Sequence, residues 1–187
     1  MHTNLPNFYH FIDDLKINNI KNLNKKIALI YRNNKNKPGE NSIIKFRNYC
    51  KRKRQKFLVS NYDDLVIKYN LDGIYLSAFN KKKNLKHLKK IHFIVVGSAH
   101  NLKEIRYKEN QGVQLIFLAP MFKSKNSNRS LGLYRYNNLA NLTKLPTIAL
   151  GGVSQSNLKL LNMLKKKGFA AINFFKNNNF KYGKRLK

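Results

Sequence analysis

An α/β fold, specifically a compact (β/α)8 TIM barrel forming a single domain over residues 1–187, is predicted by three observations. Short apolar runs recur eight times along the chain, each followed by a helical or helix-compatible segment. The runs are nearly continuous, which suits strands covered on both faces of a parallel sheet. Gly151-Gly152 lies between an apolar run and a segment rich in capping residues, Ser154, Ser156 and Asn157. The chain is short for such a barrel, where about 250 residues is typical. An open, doubly wound sheet is the alternative, and eight strands count against it.

In chain order, the expected strands are Phe8–Ile12, Ile27–Tyr31, Phe57–Val59, Gly73–Leu76, Phe93–Val96, Val113–Leu118, Ile148–Leu150 and Phe169–Asn173. Leu15, Ile20 and Leu23 form a brief helical pattern after the first. Ile43, Ile44, Phe46 and Tyr49 mark one face of a helix after Pro38-Gly39 whose end carries Lys51-Arg-Lys-Arg54. Asp63 and Asp64 occupy a first turn, where carboxylates are favoured, ahead of Leu65, Val66 and Tyr69. Further helices are expected over Lys81–Lys90, Leu102–Asn110, Asn137–Lys144 and Leu158–Lys167. Pro120–Gly132 reads as a long irregular loop, and loops of that kind often carry function. The barrel core spans about residues 8–176, followed by a basic tail at 177–187.

Charge dominates the composition: 38 Lys and Arg stand against 8 Asp and Glu, a net charge of +30. Such an excess suits anionic partners such as nucleic acid, a membrane surface or phosphorylated metabolites. Here Lys and Asn are spread over the whole chain, as in Asn33-Asn34-Lys35-Asn36-Lys37, which favours compositional drift over a nucleic-acid role. A basic nucleic-acid-binding protein stays as the competing class. The lone Cys50 excludes an internal disulfide framework. No apolar run approaches the roughly 20 residues that span a bilayer, and the first residues lack a signal-peptide pattern, so the expected location is cytoplasmic with no membrane partner. Oligomeric state is not specified. His2, His10, His87 and His92 are scattered, and no Cys–His or Ser–His–Asp constellation is evident.

The barrel rule places chemistry at the C-terminal ends of strands. That rim would carry Asp13, Asp14, Arg32, Asn33, Ser60, Asn61, Ser77, Asn80, Ser98, His100, Lys123, Lys125, Gly151, Gly152 and Asn173. Paired glycines before a helix N-terminus let backbone N–H groups approach a phosphate. Tyr62, Phe79 and Phe122 could stack on a heterocycle, but core packing or loop anchoring is the favoured reading.

Several stretches resemble the thiamine phosphate synthase/TenI family of small barrels. Val95-Val-Gly-Ser-Ala-His-Asn-Leu-Lys-Glu104 is similar to its Gly-x-Ser-x-His-x-x-x-Glu segment, and Leu118-Ala-Pro-Met-Phe122 to its Gly-Pro-Val-Phe strand end. Leu131-Gly-Leu133 and Leu145-Pro-Thr-Ile-Ala-Leu-Gly-Gly-Val153 follow in order. Leu71-Asp-Gly-Ile-Tyr-Leu76 looks like Ala-Asp-Gly-Val-His-Leu with Tyr75 in the histidine position. The chain looks like a shortened, divergent member.

The resemblance implies a site for phosphorylated thiazole and pyrimidine pieces of thiamine. Gly151 and Gly152 would hold the thiazole phosphate with backbone help near Asn173, and Arg32, Lys123, Lys125 and Arg129 would face the anionic leaving group. Ser98 and His100 would line the centre, giving His100, Ser98 and Arg32 as catalytic candidates. The family's Mg²⁺ aspartates correspond to Asn61 and Asn80. Because Mg²⁺ normally needs one or two carboxylates, no metal ligand and no certain cofactor is assigned. Three readings follow: a transferase that neutralises pyrophosphate with basic residues, a TenI-like isomerase using His100, or a noncatalytic phosphometabolite binder.

Overall fold

In the computed structural model, eight parallel strands close in sequence order: β1 (Phe8–Ile12), β2 (Ile27–Tyr31), β3 (Phe57–Ser60), β4 (Gly73–Leu76), β5 (Ile94–Ala99), β6 (Leu115–Leu118), β7 (Thr147–Leu150) and β8 (Gly168–Ala171). Tyr9 pairs with Ala28 on one side and Ala170 on the other, so β8 seals directly against β1. The structure describes residues 5–33, 37–82, 85, 88, 92–124 and 128–176. The doubly wound alternative is thereby excluded.

Every strand is buried on both faces because side chains alternate between two apolar layers. Tyr9, Phe11, Ile30, Leu58, Tyr75, Val96, Phe117 and Ile148 fill the barrel interior. Their neighbours, including Phe8, Leu29, Val59, Ile74, Val95 and Phe169, face the surrounding helices. Phe11, Tyr75 and Phe117 meet edge-to-face, with Phe11–Tyr75 at 5.0 Å and Tyr75–Phe117 at 5.5 Å. Aromatic bulk of this kind lets a short chain fill a barrel interior.

The helices that cover it are α1 (Glu40–Arg52), α2 (Asp63–Lys68), α3 (Leu102–Gln111) and α4 (Gly132–Asn141). Most of the helix expected over Lys81–Lys90 lies outside the described residues, although Leu85 and Leu88 are buried as that pattern requires. α4 begins five residues before the expected Asn137, which shortens the β6 loop. The Leu15–Leu23 pattern forms only a 3-10 turn at Ile17–Asn19, where the Asp14 carboxylate takes the Lys16 amide and the Asn19 side chain.

The expected helix Leu158–Lys167 is instead a 3-10 helix, Leu158–Met163. Leu164 is already extended, and Lys165 is held by side chains: its amide donates to Asn137 Oδ1 at 2.8 Å and its carbonyl accepts from Thr147 Oγ1 at 2.9 Å. Tertiary hydrogen bonds thus outcompete the last helical turns. Among the described residues, no helix is long and apolar enough to cross a membrane.

Candidate functional site

β5 continues through Gly97-Ser98-Ala99, so Ser98 belongs to a strand and not to the rim loop. It shares the inward face with Ile94 and Val96 and is buried. β4 alternation sends Tyr75 inward as well, where Ser98 and the Arg32 guanidinium act on its hydroxyl. Burial, the dominant influence, pushes the Tyr75 hydroxyl above its ordinary pKa, so it stays a neutral donor. Arg32 follows β2, its amide anchored on Ile12 O at 2.8 Å, and its guanidinium lies 4.7 Å over the Phe11 ring. Ser60, inward like Leu58, has a buried hydroxyl with no hydrogen-bond partner among the described residues. Arg32, Ser60, Tyr75 and Ser98 therefore form a polar layer above the aromatic interior. Tyr75 and Ser60 were absent from the expected catalytic set; inward alternation on β4 and β3 was the available signal.

The glycine corner follows β7 at the same end of the barrel. Gly151 and Gly152 follow β7 with φ of 97° and 68°, both left-handed. A side chain at Gly152 would meet Phe122 O at 2.5 Å and Lys123 O at 2.6 Å. The two rim loops are laced together by Met121 N to Leu150 O at 2.8 Å and Phe122 N to Gly151 O at 3.1 Å. Asn157 closes the turn, donating to Gly152 O at 2.8 Å and accepting from Ser154 N at 2.9 Å. Because a six-residue 3-10 helix follows, the macrodipole contribution expected of an α-helix is small, and anion affinity here falls to the corner's amides and nearby cations.

His100 is tied into the same corner. Its Nδ1 lies 2.6 Å from Ala119 O, the residue before Pro120, which itself packs on Gly151. A carbonyl only accepts, so Nδ1 carries a proton, and in the neutral tautomer Nε2 is then the acceptor. The His100 amide donates to Glu104 Oε2 at 2.8 Å, the Asn101 side chain caps α3 by accepting from Glu104 N at 2.9 Å, and its Nδ2 donates to Glu104 Oε1 at 3.0 Å. The His-x-x-x-Glu spacing thus fixes the imidazole's backbone through the start of α3. Lys123 is exposed and touches the corner through its backbone, and Arg129 is also exposed. Asn173 is exposed beyond the end of β8, and Lys125 lies outside the described residues.

A third corner joins the ends of β3 and β4. Asn61, at φ 63°, donates its amide to Tyr75 O at 2.9 Å. Its Oδ1 accepts from Ser77 N at 3.1 Å and from Asn80 Nδ2 at 3.0 Å. Nearby Asp63 is engaged by Lys82 at 2.7 Å.

A family model described as thiamine monophosphate synthase matches residues 22–175. The chain belongs to this family. It is 29% identical over 181 residues to the thiamine-phosphate synthase of Pelagibacter ubique, covering 92% of this chain and 84% of that protein. The Prochlorococcus marinus thiamine-phosphate synthase is 31% identical over 129 residues, 66% of this chain but only 37% of that longer protein. In fold, the chain is similar to a thiamine phosphate pyrophosphorylase from Pyrococcus furiosus, with a TM-score of 0.73, 20% identity, and coverage of 92% of this chain and 88% of that one.

Family membership raises the question of Mg²⁺ at the third corner. The residues do not fit it. Asn61 and Asn80 are neutral amides already bonded to each other, and the adjacent carboxylate of Asp63 is paired with Lys82. Among the described residues, no group of three or more His, Cys, Asp or Glu could hold a metal.

Proposed function

We propose that this barrel acts in thiamine biosynthesis, binding a phosphorylated thiazole and joining it to a pyrimidine carried as its pyrophosphate. The observation that carries the reading is the Gly151-Gly152 corner, whose left-handed backbone admits no side chain and lies beside His100 and the Lys123 backbone. Backbone amides there would hold the thiazole phosphate. The bond from the pyrimidine methylene carbon to the pyrophosphate oxygen breaks, and the thiazole nitrogen donates its electron pair to that carbon. Arg32, steadied by Phe11 and by the Tyr75–Ser98 pair, supplies positive charge toward the departing pyrophosphate. No step passes through a metal. The partners are small phosphorylated molecules, not nucleic acid or membrane.

The His100 geometry supports a second reading, a TenI-like isomerase, because an imidazole with Nδ1 committed to Ala119 presents Nε2 for proton transfer. One experiment separates the two. Purified protein is titrated calorimetrically with the thiazole phosphate, then incubated with both precursors in EDTA while thiamine phosphate is followed by chromatography. Binding with turnover in EDTA is expected. Arg32→Ala should lower affinity for the pyrimidine pyrophosphate by about 10- to 100-fold, the worth of a charge-assisted hydrogen bond. Binding without coupling, joined by thiazole proton exchange that His100→Gln abolishes, establishes the isomerase. Failure to bind the thiazole phosphate refutes both.

A further inference from the structure

The corner between β3 and β4 extends well below the rim. Asn80 Oδ1 accepts from Lys82 N at 3.0 Å and Gln111 Nε2 at 3.2 Å. Its backbone carbonyl accepts from Lys108 Nζ at 3.2 Å, and Lys108 also donates to Gln111 Oε1 at 2.8 Å. Gln111 further donates to Lys82 O at 2.6 Å. Lys108 is fully buried and Gln111 nearly so, which is uncommon for such residues without a purpose for their polar atoms. The chain Lys108–Gln111–Asn80–Asn61–Ser77 thus runs from inside the helical layer to the tip of β3.

Two facing amides attract, because one presents a carbonyl where the other presents an NH₂ group. Two carboxylates at the same 3.0 Å separation would repel unless a cation lay between them or a proton was shared. The Lys108 ammonium below already places a positive charge beneath this loop, which further disfavours a divalent ion.

We infer that the Asn61–Asn80 bridge, anchored by Gln111 and Lys108, is a built-in replacement for a divalent-cation cross-link and closes the β3–β4 rim with no metal bound. This conclusion concerns how the corner is held and does not depend on which reaction the barrel performs.

Thermal unfolding in EDTA and in Mg²⁺ tests it, together with Mn²⁺ binding followed by electron paramagnetic resonance. The wild-type midpoint is expected to be the same in both media. Asn61→Gly keeps the left-handed backbone but removes the bridge, and should lower the midpoint by several degrees equally in both. The double substitution Asn61→Asp/Asn80→Asp should be least stable in EDTA, regain stability with Mg²⁺ and gain a Mn²⁺ site. Stabilisation of the wild type by Mg²⁺, or a wild-type Mn²⁺ site lost in Asn61→Gly, overturns the inference. So does an Asn61→Gly protein as stable as wild type. If the double variant fails to fold in either medium, the wild type and Asn61→Gly still decide.

Discussion

A methyl group at Gly152 would sit 2.5 Å from Phe122 O, at a φ of 68° that side chains rarely adopt. Gly132 has nearly the same φ, 67°, but nothing within 4 Å of the added carbon. The pair separates backbone strain from collision. Gly132→Ala should cost about 1 kcal/mol of unfolding free energy from strain alone. Gly152→Ala adds a backbone clash and should cost roughly 2–4 kcal/mol, with thiazole phosphate binding lost. Urea denaturation measures both, and equal losses would mean that the β6 loop yields freely. His100 and Ser98 show how one position can hold more than its identity suggests. The histidine was legible as a rim residue from its place after an apolar run, yet its tautomer depends on Ala119, nineteen residues away.

At the scale of elements, α3 carries the least expected feature. Lys108 is a cation on a surface helix, yet its stem packs over Gly97 of β5 and its ammonium ends among Asn80 and Gln111. Burial, reinforced by the nearby Lys81 charge and opposed by Glu104, lowers its pKa from the ordinary 10.5 to about 8. Between those values the unfolded chain holds a proton that the folded one has shed, so this group makes stability rise as pH increases from about 8 toward 10.5. Lys108→Met lacks that gain. The wild type should therefore gain about 1–3 kcal/mol relative to Lys108→Met between roughly pH 7 and 10, a range allowing for partial relief by its hydrogen bonds. Comparing the two cancels the opposing effect of Cys50 and the buried tyrosines, whose raised pKa values reduce stability at high pH in both proteins. A constant difference across the range would show that Lys108 does not titrate in the fold. The segment after β7 carries the opposite lesson. Its apolar spacing favours an α-helix, but Asn137 and Thr147 capture Lys165 and leave only a 3-10 helix.

For the whole molecule, 38 cations against 8 anions must be accommodated on one small barrel. Glu40, Asp63, Asp64, Asp72 and Glu109 each hold a lysine or arginine, so the few carboxylates serve to relieve cationic repulsion. Raising NaCl from about 0.05 to 0.5 M should lift the thermal midpoint by several degrees, because screening weakens the many repulsions more than the few exposed pairs. A falling midpoint in calorimetry would assign the pairs the larger role. The barrel itself was legible because each near-continuous apolar run needs cover on both faces, and eight runs with intervening helices have few other arrangements. The glycine pair was equally plain, since its place after the seventh run fell where barrel rims accept phosphate. The sequence by itself thus determined the eight strands and their cover on both faces and, through the family resemblance, pointed to amides at Asn61 and Asn80 where aspartates are expected. Only the tertiary structure decided that those amides bond to each other, that Tyr75 meets Ser98 and Arg32, and that Lys108 is buried beside Asn80. Periodicity is a property of neighbouring residues, whereas a hydrogen bond between side chains nineteen or thirty residues apart exists only once barrel closure has set their distance.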